Sequence, residues 1–303
     1  GCGMALWSTD VDARKAAPDR LERKLGNLDA PLDDRWQALA SELAPADVGY
    51  RQALGTIGGG NHFAELQRID EIHDPEAIAA LQLDVKRLVL LVHSGSRGLG
   101  GAILQDHIHR HGHAGLAQGS ADCTAYLAQH DGALRYAEAN RQLIARRMLD
   151  RLGAKGEQVL DVHHNLVTPS VIQGEAGWLH RKGATPSNAG LVVIPGSRGD
   201  FSYLVAPIPG EASLYSLAHG AGRKWMRSEC KDRLFKRYTP AQLGRTKLGS
   251  HVICQDKQLI YEEAPEAYKP VDSIIDSLQQ AGLVTVLARL RPVLTYKTRG
   301  GCC

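Results

Sequence analysis

Apolar and polar positions along the chain sort into a few strong strands and several helical stretches. Val85–Val92, VKRLVLLV, is apolar over most of its length, as in a strand covered on both faces. Leu191–Ile194 repeats this on a smaller scale, and Glu157–Val162 and Trp178–Ala184 read as further strands. Alternation from Phe63 to Leu66 starts another, Ser202 and Tyr203 lie on one more, and Ala5-Leu6-Trp7 opens the chain in the same way. Two strands are expected on either side of Pro292, the second ending at Lys297. Residues 11–44 follow a helical period through Val11, Ala16, Leu21, Leu25, Trp36, Leu39 and Leu43, with a break at Pro31. Helices are also expected from Gly101 to about His111, over 121–150 with Tyr126, Leu134, Leu143 and Met148 turned inward, and from Val271 to Gln280.

Composition changes this picture little. The 303 residues are 43% hydrophobic and 23% charged, ordinary for a globular chain. No apolar run is long enough to cross a membrane, and no secretory signal is visible. Six cysteines, Cys2, Cys123, Cys230, Cys254, Cys302 and Cys303, show no framework spacing, which points to free thiols in a reducing compartment, the cytoplasm. The last two are read as part of a frayed terminus. The net charge of +3 says nothing about partners, but its distribution does. Between His219 and Lys247 nine Lys or Arg face two acids, Glu229 and Asp232, a concentration that suits a polyphosphate backbone.

The chemistry gathers where strands run into glycine loops. Leu214–Arg227 holds His219 in a His-Gly-Ala-Gly turn, with Arg223 and Arg227 following at helical spacing. Glycines allow close backbone approach, and a neutral imidazole beside a phosphate cradle can be a nucleophile at phosphorus. Three glycines precede Asn61 and His62, and Glu65 is a pure acceptor just beyond. His93 ends the strand that enters Ser94-Gly-Ser-Arg97-Gly-Leu-Gly100, a strand–glycine loop–helix arrangement that suits phosphate, and Arg97 can fork onto an oxyanion. His163, His164 and Asn165 end another strand, and Pro195–Gly199 is a third glycine turn. His107, His109, His111 and His113 are spaced by two and spread around a helix, so they read as a solvated face. Cys2, His62, His93 and His164 would suffice for two ions if the sulfur bridged them, and a thiolate with imidazoles selects a borderline transition ion over magnesium. On residues alone, a binuclear phosphodiesterase would be served equally well.

The motifs GCGM, GTIGGGNHFAE, VHSGSRGLG, HHN, WLHRKGAT, VIPGSRG, SLAHGAGR and AYK…RPVLTYK resemble, in order and across essentially the whole chain, those of the RtcB family of RNA ligases. The SLAHGAGRKW and PGSRGDFSYLV wording is similar to the bacterial branch associated with release factor H and with repair of cleaved ribosomal RNA. The resemblance implies an α+β fold, with a mixed β-sheet core, peripheral helices and glycine-rich loops around a central metal and nucleotide pocket. It implies a single catalytic domain over 1–303, with 11–50 and 101–150 as peripheral helical segments. It implies a GTP- and Mn2+-dependent ligase joining a 3′-phosphate or 2′,3′-cyclic phosphate RNA end to a 5′-hydroxyl end. By motif, His219 takes GMP covalently, Cys2 bridges two Mn2+ ions, His62 binds the first, and His93 and His164 bind the second. Asn61, His62, Phe63, Ala64, Glu65, His164, Asn165, Pro195, Gly196, Ser197, Arg198, Ser202, His219, Gly220, Ala221, Gly222 and Lys297 match guanylate-binding positions, with Tyr268 as a base-stacking residue. Arg97, Arg223 and Arg227 are implied contacts to RNA or pyrophosphate. A release-factor-H-like protein is an implied partner, and a catalytically impaired RNA-binding relative is the third reading. Two departures stand out. The family's aspartate ligand to the first ion lies two residues before the position of Gly1, so about the first quarter of a family member is expected upstream of this sequence. Arg198 stands where many relatives carry Met.

Overall fold

The computed structural model describes residues 1–45 and 49–299. In chain order the strands are β1 (Cys2–Asp12), β2 (Phe63–Ile72), β3 (Arg87–Gly95), β4 (Gln158–His163), β5 (Asn165–Ile172), β6 (Glu175–Lys182), β7 (Ala184–Pro186), β8 (Val192–Pro195), β9 (Ser202–Pro207), β10 (Ser216–Ala218), β11 (His251–Cys254) and β12 (Val284–Thr298). The helices are α1 (Pro18–Leu25), α2 (Asp34–Leu43), α3 (Pro75–Ala80), α4 (Gly98–His111), α5 (Ala121–Leu152), α6 (Arg227–Leu234), α7 (Pro240–Leu243), α8 (Leu259–Glu262) and α9 (Val271–Gln280). The architecture is α+β: one large mixed sheet with helices around it.

The sheet runs β4-β1-β3-β2-β12-β9-β8 and is antiparallel throughout, except that β11 joins β12 in parallel. The pairs β5–β6 and β7–β10 stand apart as two small ribbons. The apolar run of β3 places it between β1 and β2, covered on both faces. Its residues alternate as a pleat requires. Leu88, Leu90 and Val92 face a core with Trp7, Met148 and Leu149 on one side. Val89 and Leu91 face Met4, Leu6, Leu204 and Leu290 on the other.

Helix α5 supplies one cover. Ser120 caps it by accepting from the Cys123 N–H, and Gly153 ends it in the left-handed region. Its first turns are mostly exposed, while the stretch from Ala133 to Leu152 carries all its buried residues. Leu143 and Met148 are fully buried as expected, and Tyr126 and Leu134 are half-buried. No helix among the described residues is long and apolar enough to cross a membrane.

Four local expectations are corrected. Pro292 lies inside one continuous strand, β12. Its missing N–H falls where the ladder is already interrupted: pairing with β9 stops at Leu290, pairing with β11 begins at Leu294, and the β2 register shifts there. Arg223 and Arg227 do not share a helix. Arg223 is an extended bridge opposite Tyr268, and Arg227 is the first residue of α6. The His163–Asn165 segment is no loop, because β5 resumes at Asn165 after a single residue. Val11 belongs to β1, so the helical stretch starts only at Pro18.

The register explains where function can sit. Met4 and Phe63 both pair with His93, and Gly3 pairs with His163. The start of β1, the start of β2, the end of β3 and the end of β4 therefore lie side by side.

Candidate functional site

At that sheet end four donor side chains meet. Cys2 Sγ lies 3.4 Å from His62 Nε2 and 3.6 Å from His93 Nε2. His93 Nε2 lies 3.3 Å from His164 Nε2. The donor atoms of Cys2, His93 and His164 all fall within 4.8 Å of one another. Burial and the neighbouring Arg97 push the His62 imidazole down to about 3. Burial, reinforced by the other imidazoles, holds His93 and His164 well below the usual histidine range. The rings are therefore neutral at physiological pH, and their Nε2 atoms cluster beside the Cys2 sulfur. Burial pushes the Cys2 thiol up to about 11, a cost that a bound cation would reverse. Buried neutral imidazoles beside a thiol that would give up its proton to a cation fit a borderline divalent ion. The sulfur lies within reach of both His62 and His93.

His219 stands beside this group. Its ring lies 4.7 Å from that of His164 and 6.5 Å from that of His93. Its Nδ1 is 2.7 Å from the Gly183 carbonyl, which can only accept. Nδ1 therefore carries the proton, and Nε2 keeps a free lone pair. Burial also lowers its pKa, against the bond to Gly183. Gly183 has φ +66°, and a Cβ there would come 3.1 Å from His219 Cε1, so both the carbonyl orientation and the ring position need glycine. The Gly183 N–H in turn donates to Asn165 Oδ1 at 2.7 Å, which fixes the turn. Gly220 is also required by contact, since a Cβ would meet the Pro195 carbonyl at 2.8 Å.

A narrow pocket opens from His93 and His219. It is lined by Asn61, Phe63, Pro195, Gly196, Ser197, Arg198, Gly220, Ala221, Glu263, Tyr268 and Lys297. Lys297 is fully buried, donates to the Gly60 carbonyl at 2.8 Å, and is pulled down to about 8 by burial. Arg198 spends one nitrogen on the Ile260 carbonyl at 2.5 Å, while its Nε and Nη1 are buried without a partner. Burial pulls it down to about 10. Other expected residues lie behind the lining. Glu65 and Ser202 are buried and joined through Gln67, and Ala64 belongs to the core. Gly222 is exposed and gives its carbonyl to the Lys269 N–H. Arg97 enters α4 at φ +53°, bonds Thr56, and sits where a Cβ on Gly58 would be.

Glu263 is a hub that sequence reasoning missed. It is buried, with Arg223 at 3.1 Å, Arg227 at 3.3 Å and Lys297 at 4.0 Å, and it accepts a short bond from the Tyr268 hydroxyl. Burial alone would raise it, but Lys297, Tyr268 and the arginines hold it below the usual carboxylate range. In the sequence it is one of several acids in EEAPEAYK, and no spacing marks it. Asn140 and Arg141 on α5 were also missed. Asn140 receives the Gly55 N–H and donates to Thr56, Ser94 and Gly95, holding two glycine loops together. Arg141 forks onto Asp161 and reaches the Ser94 carbonyl beneath Cys2. Their distance along the chain from the loops they hold is why spacing gave no hint.

Cys2, Cys123, Cys230 and Cys254 are free thiols, and Cys302 and Cys303 lie outside the described residues. Of the helix histidines, the rings of His107 and His111 lie 5.2 Å apart across one turn, while His109 and His113 are exposed.

Comparison with known proteins gives a consistent result. The family profile described as "tRNA-splicing ligase RtcB" matches residues 33–298. The chain is similar to "RNA-splicing ligase RtcB2" of Escherichia coli, 56% identical over 99% of this chain and 79% of that protein. It is 35% identical to "RNA-splicing ligase RtcB" of Mycobacterium bovis, over 79% of this chain and 63% of the relative. It is 34% identical to "tRNA-splicing ligase RtcB" of Nanoarchaeum equitans, over 82% and 60% respectively.

Proposed function

The chain belongs to the RtcB family of RNA ligases, and we propose that it seals an RNA 3′-phosphate end to a 5′-hydroxyl end at the expense of GTP. The observation that carries this is the placement of His219: Nδ1 pinned on Gly183, and the ring against His164 at the edge of the sulfur–imidazole cluster. In the first step Nε2 of His219 attacks the α-phosphorus of GTP. An N–P bond forms and the bond to pyrophosphate breaks. The guanylyl group then passes to an oxygen of the RNA 3′-phosphate, and His219 recovers its lone pair. The 5′-hydroxyl attacks that 3′-phosphorus and GMP leaves. A 2′,3′-cyclic end enters after water has opened it to the 3′-phosphate.

Cys2, His62, His93 and His164 would hold two Mn2+ ions, whose charge offsets that of the triphosphate and its leaving group. Gly183 and Asn165 keep His219 in line. Arg198 and Lys297 offer buried donors to the guanylate, and Tyr268 presents its ring at the pocket wall. Arg97 and Arg227 would offer their remaining guanidinium nitrogens to the phosphates, whereas Arg223 is spent on Glu263, Tyr268 and nearby backbone carbonyls. Positioning of this kind supplies most of the rate in phosphoryl transfer. The finer reading is repair of cleaved ribosomal RNA in the cytoplasm beside a release-factor-H-like protein, and it rests on the motif wording alone.

Incubation with α-labelled GTP and Mn2+ tests the chemistry. The protein should take up one acid-labile, base-stable label, and His219→Ala should lose it. A label that persists in that variant, or none in the parent protein, would overturn the assignment.

A further inference from the structure

The basic segment between His219 and Lys247 is mostly unused by this chemistry. Only Arg223 and Arg227 turn to Glu263. Three of its other cations, Lys224, Arg245 and Lys247, line a cleft that meets the catalytic pocket at Ser197 and Tyr268. The cleft has a volume of about 460 Å³, inside the range of specific ligand sites. Lys224, Arg245, Lys247 and Lys269 stand around it, and Leu243 and the half-buried Tyr238 supply apolar surface.

We propose that a single-stranded stretch of RNA next to the end being sealed lies in this cleft. The proposal rests on the ligase reading above and says where its substrate runs. Three observations converge. Lys224, Lys247 and Lys269 are exposed, and none enters an ion pair among the described residues, so their charge is free for phosphates. Arg245 is tied to Asp19 and His251 and contributes less. The acids of the wall are two, Glu266 and Asp200, the latter turned to the backbone N–H groups of Phe201 and Val271, against four cations. The half-buried Tyr238 in the lining adds a ring on which bases of any sequence stack. Strand continuity is built in as well. Lys224 and Lys269 are held by reciprocal backbone bonds, Lys224 N–H to Ala267 at 2.7 Å and Lys269 N–H to Gly222 at 2.8 Å. That ladder carries Arg223 and Tyr268 between them. A phosphate backbone following the two lysines is thus led to the residues beside the reacting group.

The test measures affinity by fluorescence anisotropy for an oligoribonucleotide of about twelve residues ending in a 3′-phosphate, across a salt series. The variant is Lys224→Ala/Lys247→Ala, and the control is Lys15→Ala/Lys86→Ala, which removes the same charge from exposed lysines elsewhere. Thermal unfolding checks that each folds. The cleft pair should weaken binding on the order of tenfold more than the control and flatten the salt slope by about 1.4, the release expected for two single-strand phosphate contacts. Tyr238→Ala should weaken binding several-fold without changing the slope. Equal effects of the two lysine pairs would overturn the proposal and leave the cleft to another partner. GTP labelling of the parent protein is read separately, so failure of the ligase reading is not confused with failure of this one.

Discussion

Arg198 illustrates how a single side chain can favour the ligand over the fold. Its guanidinium is buried in the pocket wall, with one nitrogen bonded to Ile260 and two left without partners. Unsatisfied buried donors are costly, and a buried charge with poor pairing more so. Replacing it with Met, an unbranched apolar chain, should therefore stabilise the nucleotide-free protein by about 1–3 kcal/mol in chemical denaturation. The same change should weaken GTP labelling of His219 about tenfold or more, because charge-assisted donors to the nucleotide are lost. A variant that is less stable and labels normally would show that Arg198 serves the fold. The residue scale is also where the sequence was uneven. His219, Cys2, His62, His93 and His164 could be picked out because each sits in a short glycine- or asparagine-flanked string. Glu263, Gly183, Asn140 and Arg141 could not, because what each does depends on a partner tens of residues away.

Between strands, the same dependence on neighbours sets protonation. Glu65 on β2 is paired directly with Thr295 on β12, whose hydroxyl donates to it, and Gln67 adds a second donor at 2.7 Å while also bonding Ser202 of β9 at 2.8 Å. Burial in this three-strand seam outweighs those bonds and lifts the carboxyl from an ordinary 4.5 to about 7. The folded protein therefore holds this proton more tightly than the unfolded chain. Its contribution is present in full below pH 4.5 and is lost as pH rises towards 7. Stability of the nucleotide-free protein should fall over that window relative to Glu65→Gln, by a total on the order of 3 kcal/mol. Denaturation curves that stay parallel across the window would reject the shifted carboxyl. Strand identity itself was largely legible: β3 and β8 followed from unbroken apolar runs, and α9 from its period. Strand extent was less so. Pro292 looked like a terminator because its missing N–H matters only where a ladder bond is due, and the exchange of β9 for β11 makes that place harmless.

Over the whole molecule, Cys2, His93 and His164 come together, with His62 beside the sulfur, only when β1, β2, β3 and β4 are in register. An unfolded chain cannot present them together, so an ion bound there stabilises the fold by linkage. At a free concentration about a hundred times the dissociation constant, that gain is about 2.7 kcal/mol. For a chain of this size it corresponds to a rise in Tm of roughly 4 °C. Ligand softness makes the effect selective: sulfur and imidazole favour Mn2+ over Mg2+, which prefers oxygen and keeps its water. Differential scanning calorimetry should therefore show Tm rising with Mn2+ and staying nearly level with Mg2+ at the same concentration. His93→Ala, which removes the ring lying between Cys2 and His164, should abolish most of the Mn2+ response. Loss of the ring also leaves a cavity in the apo protein, so the informative quantity is the shift on adding metal and not the starting Tm. Equal shifts with the two metals, or a full Mn2+ shift in His93→Ala, would mean that the sheet end is held together by packing alone and that the ions bind elsewhere.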